Sequence, residues 1–139
     1  MNKQNQIDQQ YLRMAQVWAD SSYCQRKKVG CLIVKNQTII SDGYNGTPRG
    51  FDNVCESSED GETLWHVLHA EANALTKIAR SNQSSEGATL YTTLSPCKDC
   101  SKLILQSGIT RVVYLNDLSD RSGLDFLFEA GIDTIKGHV

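Results

Sequence analysis

The stretch ATLYTTLSPCKDC, residues 88–100, decides the fold class. Ala88 to Leu94 is a short run of apolar, aromatic and β-branched residues, the composition of a buried strand. Ser95-Pro96 then reads as an N-cap followed by proline at the first helical position, so a helix starts there and ends at Gly108. A strand that feeds directly into a helix is the building unit of an α/β protein. The same helix start sets Cys97 and Cys100 one turn apart, so both thiolates can face one ion.

Downstream, Arg111 to Leu115 is another apolar strand, Ser122 to Ala130 a short helix stopped by Gly131, and Ile132 to Lys136 a last strand. Upstream, the spacing predicts a helix from Leu64 to about Arg80 that buries Ala70, Ala74, Leu75 and Ile78. Before it, Asp42 to Glu62 is rich in Gly, Asp, Asn and Ser and reads as a long functional loop. Val29 to Lys35 and Thr38 to Ser41 are β-branched-rich runs joined by Asn36-Gln37, a hairpin. From Ile7 to Ser22, Tyr11, Met14, Ala15 and Trp18 recur at helical spacing, which predicts an amphipathic helix with that stripe on the core. The order α-β-β-α-β-α-β-α-β implies a three-layer α/β/α sandwich around a mixed five-stranded sheet, parallel mainly in its second half. At 139 residues the expectation is a single domain over 1–139.

The net charge of −2 gives no general attraction to phosphate backbones or anionic membranes, and Arg26-Lys27-Lys28 is the one tight basic cluster. Bulk nucleic-acid binding is therefore disfavoured. With neither a signal-like apolar run nor a stretch of transmembrane length, a soluble cytoplasmic protein is expected. Five cysteines are an odd number, and in a reducing compartment they read as metal ligands and core residues rather than disulfides. Cys31, inside an apolar strand, reads as a core residue.

A bare Cys-x-x-Cys also suits a redox pair or half of a four-cysteine structural site. The stretch HAEANAL, residues 69–75, adds His69, and no further ligand is obvious for a closed structural shell. Three ligands of the Cys2His type plus water make an open zinc site, in which the metal lowers the pKa of water from about 15.7 toward about 7. Such a site needs a group to move protons, and Glu71 fits. Residues two apart on a helix do not share a face, so an amphipathic reading has no use for this pair. At a first helical turn the ion can lie beyond the helix end, with Glu71 reaching past it. A non-enzymatic zinc module would explain the cysteines and His69 but would leave Glu71 without a role.

H-x-E followed by P-C-x-x-C is the signature of zinc-dependent nucleobase deaminases. Together with CQRKKVGCLIVK, ISDGYNGTPRGFDNVCE and LILQSGITRVVY, these motifs make roughly residues 20 to 115 resemble the cytidine deaminase superfamily, and within it the deoxycytidylate (dCMP) deaminases. The GYNGTP loop is what narrows the resemblance to that branch.

The resemblance implies a cytidine deaminase-like fold, a catalytic zinc held by His69, Cys97 and Cys100, and Glu71 as the proton carrier between water, cytosine N3 and the departing amino group. The implied reaction is hydrolysis of dCMP to dUMP and ammonia, which feeds thymidylate synthesis. Ser95 and Pro96 would shape the pocket near the exocyclic amine, and Asn45 would contact the deoxyribose. Arg26, with Lys27 or Lys28, would hold the 5′-phosphate, for which a guanidinium fork is suited. Cys24, Cys55 and His66 fall where relatives hold a second zinc, with Glu56 or water as fourth ligand.

Relatives are commonly homo-oligomers, often hexamers, activated by dCTP with Mg2+ and inhibited by dTTP. That implies an effector site in the 42–62 loop, at Gly43, Tyr44, Asn45 and Gly46. A cytoplasmic location follows, or the host cytoplasm for a viral chain. The chain departs from the pattern after RVVY, where many relatives carry Tyr-x-Asp and this one offers Leu118-Ser119-Asp120. A competence-associated relative shares the same motifs. A tRNA adenosine deaminase shares the core, but folded RNA calls for a basic face.

Overall fold

In a computed structural model that describes residues 2–139, the elements follow the expected order. They are α1 (Lys3–Ala19), β1 (Gly30–Lys35), β2 (Thr38–Tyr44), α2 (Ala70–Ala79), β3 (Thr89–Leu94), α3 (Lys98–Gln106), β4 (Arg111–Asn116), α4 (Ser122–Glu129) and β5 (Asp133–Lys136). The strands form one sheet in the order β2-β1-β3-β4-β5. β1 runs antiparallel to both β2 and β3, whereas β3, β4 and β5 are mutually parallel. The hairpin turns through Asn36 and Gln37, both with positive φ, and such a turn matches the right-handed twist of the strands it joins.

Alternation along the strands separates two cores. On one face, Leu12 and Ala15 of α1 pack on Leu32, Val34, Tyr91 and Val113. On the other, α2, α3 and α4 lay Ala74, Ile78, Ile104 and Leu127 on Cys31, Ile33, Leu90 and Val112. The three-layer α/β/α arrangement follows from these two faces.

Three local expectations are corrected by contacts from distant parts of the chain. The buried side of α1 is Asp8, Leu12, Ala15 and Ala19, while Met14 and Trp18 are 45 % and 38 % exposed. Gly30 lies against the backbone of Ala15 and Ala19, where a Cβ would collide, so the helix turns its small residues to the sheet. Helix α2 starts at Ala70 rather than near Leu64, because Leu68 exchanges two backbone hydrogen bonds with Gly46, at 3.0 and 2.8 Å, and stays extended. The N-cap of α3 is Cys97 rather than Ser95. The Ser95 hydroxyl instead accepts the Leu118 N–H at 2.8 Å, which leaves Cys97 Sγ to accept the Cys100 N–H at 3.5 Å.

Asp8 ties α1 to the sheet. Its carboxylate accepts both Nη atoms of Arg111, at 2.8 and 2.5 Å, and the Tyr91 hydroxyl at 2.7 Å. Burial pushes this carboxyl up, but the hydrogen bonds from Arg111, Tyr91 and Gln4 outweigh it and hold the group below its ordinary range. No helix among the described residues is long and apolar enough to cross a membrane.

Candidate active site

Two helix starts converge beside the end of β3. His69 is the N-cap residue of α2 and makes no side-chain cap bond, so its ring is free to turn outward. Cys97 caps α3 and Cys100 lies in its first turn. His69 Nδ1 stands 3.5 Å from Cys97 Sγ and 3.3 Å from Cys100 Sγ. A tetrahedral zinc, with nitrogen at about 2.0–2.1 Å and sulfur at about 2.3 Å, separates those atoms by about 3.5 Å. The donor set and its spacing fit that ion.

Glu71 is buried beside these ligands, only 4 % exposed. Burial raises its carboxyl to about 7, against the opposing pull of its own backbone N–H and of His69. A hydrogen bond from the Cys100 thiol and another from His69 lower Cys97 to about 4, and the Cys97 contact and burial push Cys100 up. The pair thus holds one thiolate readily, and the α3 N-terminus favours that charge.

His69, Glu71 and Cys97 line a pocket with apolar walls from Val29, Val67, Leu94 and Leu118. Cys24, Arg26, Lys27, Asn45, Glu56, Thr63, Ala70 and Ser95 complete its lining. Of the residues expected to bind substrate, Arg26, Asn45 and Ser95 thus reach the pocket. The Asn45 amide is committed to the protein, accepting the Val29 N–H at 2.9 Å and donating to the Lys27 carbonyl at 2.8 Å, so it shapes the segment that carries Arg26. Pro96 is fully buried behind the pocket, with its carbonyl against Gly123. The Leu118 N–H donates to the Ser95 hydroxyl, which fixes Leu118 in the pocket wall.

Two expectations are revised. Cys24 and Cys55 are joined as a disulfide, with Cα atoms 5.2 Å apart, and the same two sulfurs form with Glu56 a second group able to hold a metal ion. His66 is no part of that cluster; it packs on Phe51 and Trp65, while Glu56 is the acidic neighbour of the two cysteines. Gly43, Tyr44, Asn45 and Gly46 do not form an open turn with free donors. Gly43 and Tyr44 belong to β2 and pair with Cys31 and Gly30, and the Asn45 and Gly46 N–H groups are taken by the carbonyls of Val29 and Leu68. The strand simply runs further than its β-branched start predicts, because Gly43 lets α2 pack against it.

Sequence reasoning missed Val29, Thr63, Val67 and Ala70 in the pocket, and gave Cys24 and Glu56 a role only at a second metal. Thr63 and Val67 reach the site through the fold of the loop.

Residues 5–116 match the family described as cytidine and deoxycytidylate deaminase zinc-binding region. The chain belongs to this family. Within it, the deoxycytidylate deaminase of Enterobacteria phage T4 is 36 % identical over 167 positions, covering 90 % of this chain and 86 % of that protein. The deoxycytidylate deaminase of Saccharomyces cerevisiae is 38 % identical over 134 positions, with 90 % of this chain covered but only 43 % of the yeast protein. Among solved structures, the dCMP deaminase of cyanophage S-TIM5 in complex with dCMP and dUMP superimposes with a TM-score of 0.92 at 44 % identity, over 98 % of each chain.

Proposed function

We propose that this chain, as a single catalytic domain over residues 1–139, hydrolyses dCMP to dUMP and ammonia. The observation that carries the reading is a buried carboxylate, Glu71, on the floor of a pocket with three converging zinc ligands below and cations Arg26 and Lys27 at the rim. Likeness along nearly the whole chain to the cyanophage enzyme supports the choice of nucleotide.

Zinc held by His69, Cys97 and Cys100 would supply a Lewis acid that makes water acidic enough to ionise near pH 7. Glu71 takes the proton that water loses, delivers it to cytosine N3, and carries the next one to the leaving amino group. Water oxygen bonds to C4, the C4–N bond breaks, and the amine departs as ammonia. The apolar walls Val67, Leu94 and Leu118 hold the flat ring and keep bulk water out. Arg26 holds the 5′-phosphate by charge-assisted hydrogen bonds.

Zinc-loaded protein incubated with dCMP, CMP and deoxycytidine, with ammonia release followed, tests the reading. dCMP is expected to react fastest. Equal turnover of deoxycytidine would remove the phosphate contact, and no ammonia from any of the three would remove the function.

Assembly and control form a finer part of the same proposal: a cytoplasmic homo-oligomer, hexameric in form, activated by dCTP with Mg2+ and inhibited by dTTP. The exposed Met14, Val17 and Trp18 on α1 support association between copies. Substrate saturation should be sigmoidal and become hyperbolic with dCTP. Hyperbolic kinetics indifferent to both nucleotides, on enzyme shown to be oligomeric, would discard the control.

A further inference from the structure

Arg26 already has an anionic partner. Its Nη1 lies 2.6 Å from Glu62 Oε2, on the side of the pocket where Thr63 and Glu56 form the lining. A second carboxylate fixes the main chain beneath it, since Glu56 Oε2 accepts the N–H groups of Gln25 and Arg26 at 3.0 and 3.2 Å.

Glu62 stands on a short, well-tied hairpin. The Ser57 N–H donates to the Glu62 carbonyl at 2.8 Å, the Gly61 N–H to Ser57 at 2.9 Å, and the Leu64 N–H to Cys55 at 2.7 Å. Gly61 has φ +71°, the left-handed conformation that lets the chain reverse there. The disulfide joins the base of this hairpin to the segment carrying Arg26. The carboxylate is therefore presented to the guanidinium by the fold.

We infer that Glu62 tempers the affinity for nucleotide: it occupies Arg26 until a 5′-phosphate displaces it, so the preference for nucleotide over nucleoside is smaller than Arg26 alone would give. The inference rests on Arg26 as the phosphate contact proposed above. A phosphate offers a guanidinium fork more charge and more acceptors than one carboxylate. The side chains of the pair are 47 % and 66 % exposed, so the existing contact is weak enough to exchange. A nucleoside brings nothing that can replace Glu62. A nucleotide does, and it must overcome a fixed competitor on binding.

The test is steady-state kinetics of zinc-loaded wild type, Glu62→Gln, Arg26→Ala and the double variant on dCMP and deoxycytidine, with inorganic phosphate as inhibitor. Glu62→Gln is expected to lower KM for dCMP and the phosphate inhibition constant by about two- to fivefold, with kcat and deoxycytidine kinetics unchanged. In the Arg26→Ala background, Glu62→Gln should have no effect. Unchanged dCMP and phosphate binding in Glu62→Gln, or an equal loss on both substrates as from a damaged hairpin, would overturn the exchange while Arg26→Ala still lost dCMP selectively. Arg26→Ala weakening both substrates equally would instead overturn the phosphate contact itself, and the exchange with it.

Discussion

In the proposed mechanism Glu71 carries the protons, so its replacement should separate metal binding from catalysis. Glu71→Gln keeps the volume and cannot carry protons, so kcat should fall by at least about 10²–10⁴-fold with zinc content unchanged. Metal analysis beside an ammonia assay checks this; near-normal turnover would remove Glu71 from the mechanism. His69→Ala should lose zinc and activity together, since two thiolates alone leave the shell incomplete. These four residues were legible because each belongs to a short motif at a helix start, where local spacing controls the direction of the side chain. At Cys24 and Cys55 the reading holds only in part: the two meet, with Glu56, but His66 does not join them, because the fold of the loop decides which segments meet.

At the scale of elements, the contact between α1 and the sheet sets a pH dependence. The Asp8 carboxyl is held below its ordinary value, so its contribution is fully present above about pH 4 and is lost as pH falls through its lower folded pKa. Denaturant titrations between pH 6 and 2 should show stability falling over that range, and Asp8→Asn should flatten the fall. Arg111→Met, which leaves Asp8 buried without its cation, should cost roughly 3 kcal/mol at neutral pH. Gly30→Ala should destabilise as well, because its methyl meets the backbone of Ala15 and Ala19. The order of elements was legible because each carries its own punctuation, such as Gly108 and Gly131 after α3 and α4. The face of α1, the start of α2 and the cap of α3 were not, because Gly30, Gly46 and Leu118 decide them from elsewhere in the chain.

For the whole molecule, a zinc held by His69, Cys97 and Cys100 would clamp the starts of α2 and α3 together, both on the same face of the sheet. Any ligand that binds only the folded state stabilises it, by about 4 kcal/mol at a thousandfold excess over its dissociation constant. Chelated protein should therefore melt well below zinc-loaded protein in calorimetry; equal melting temperatures would mean that the ligands are not joined through a metal. β3 is entered from α2, left into α3, and paired antiparallel with β1 and parallel with β4. His69 and the two cysteines thus meet only when that strand has slotted between its neighbours, a step that closes long stretches of chain and is slow by its topology. The binding site is consequently a clock for refolding: with cobalt in place of zinc, the thiolate-to-metal colour should rise with the slowest folding phase, after the helical signal has already returned.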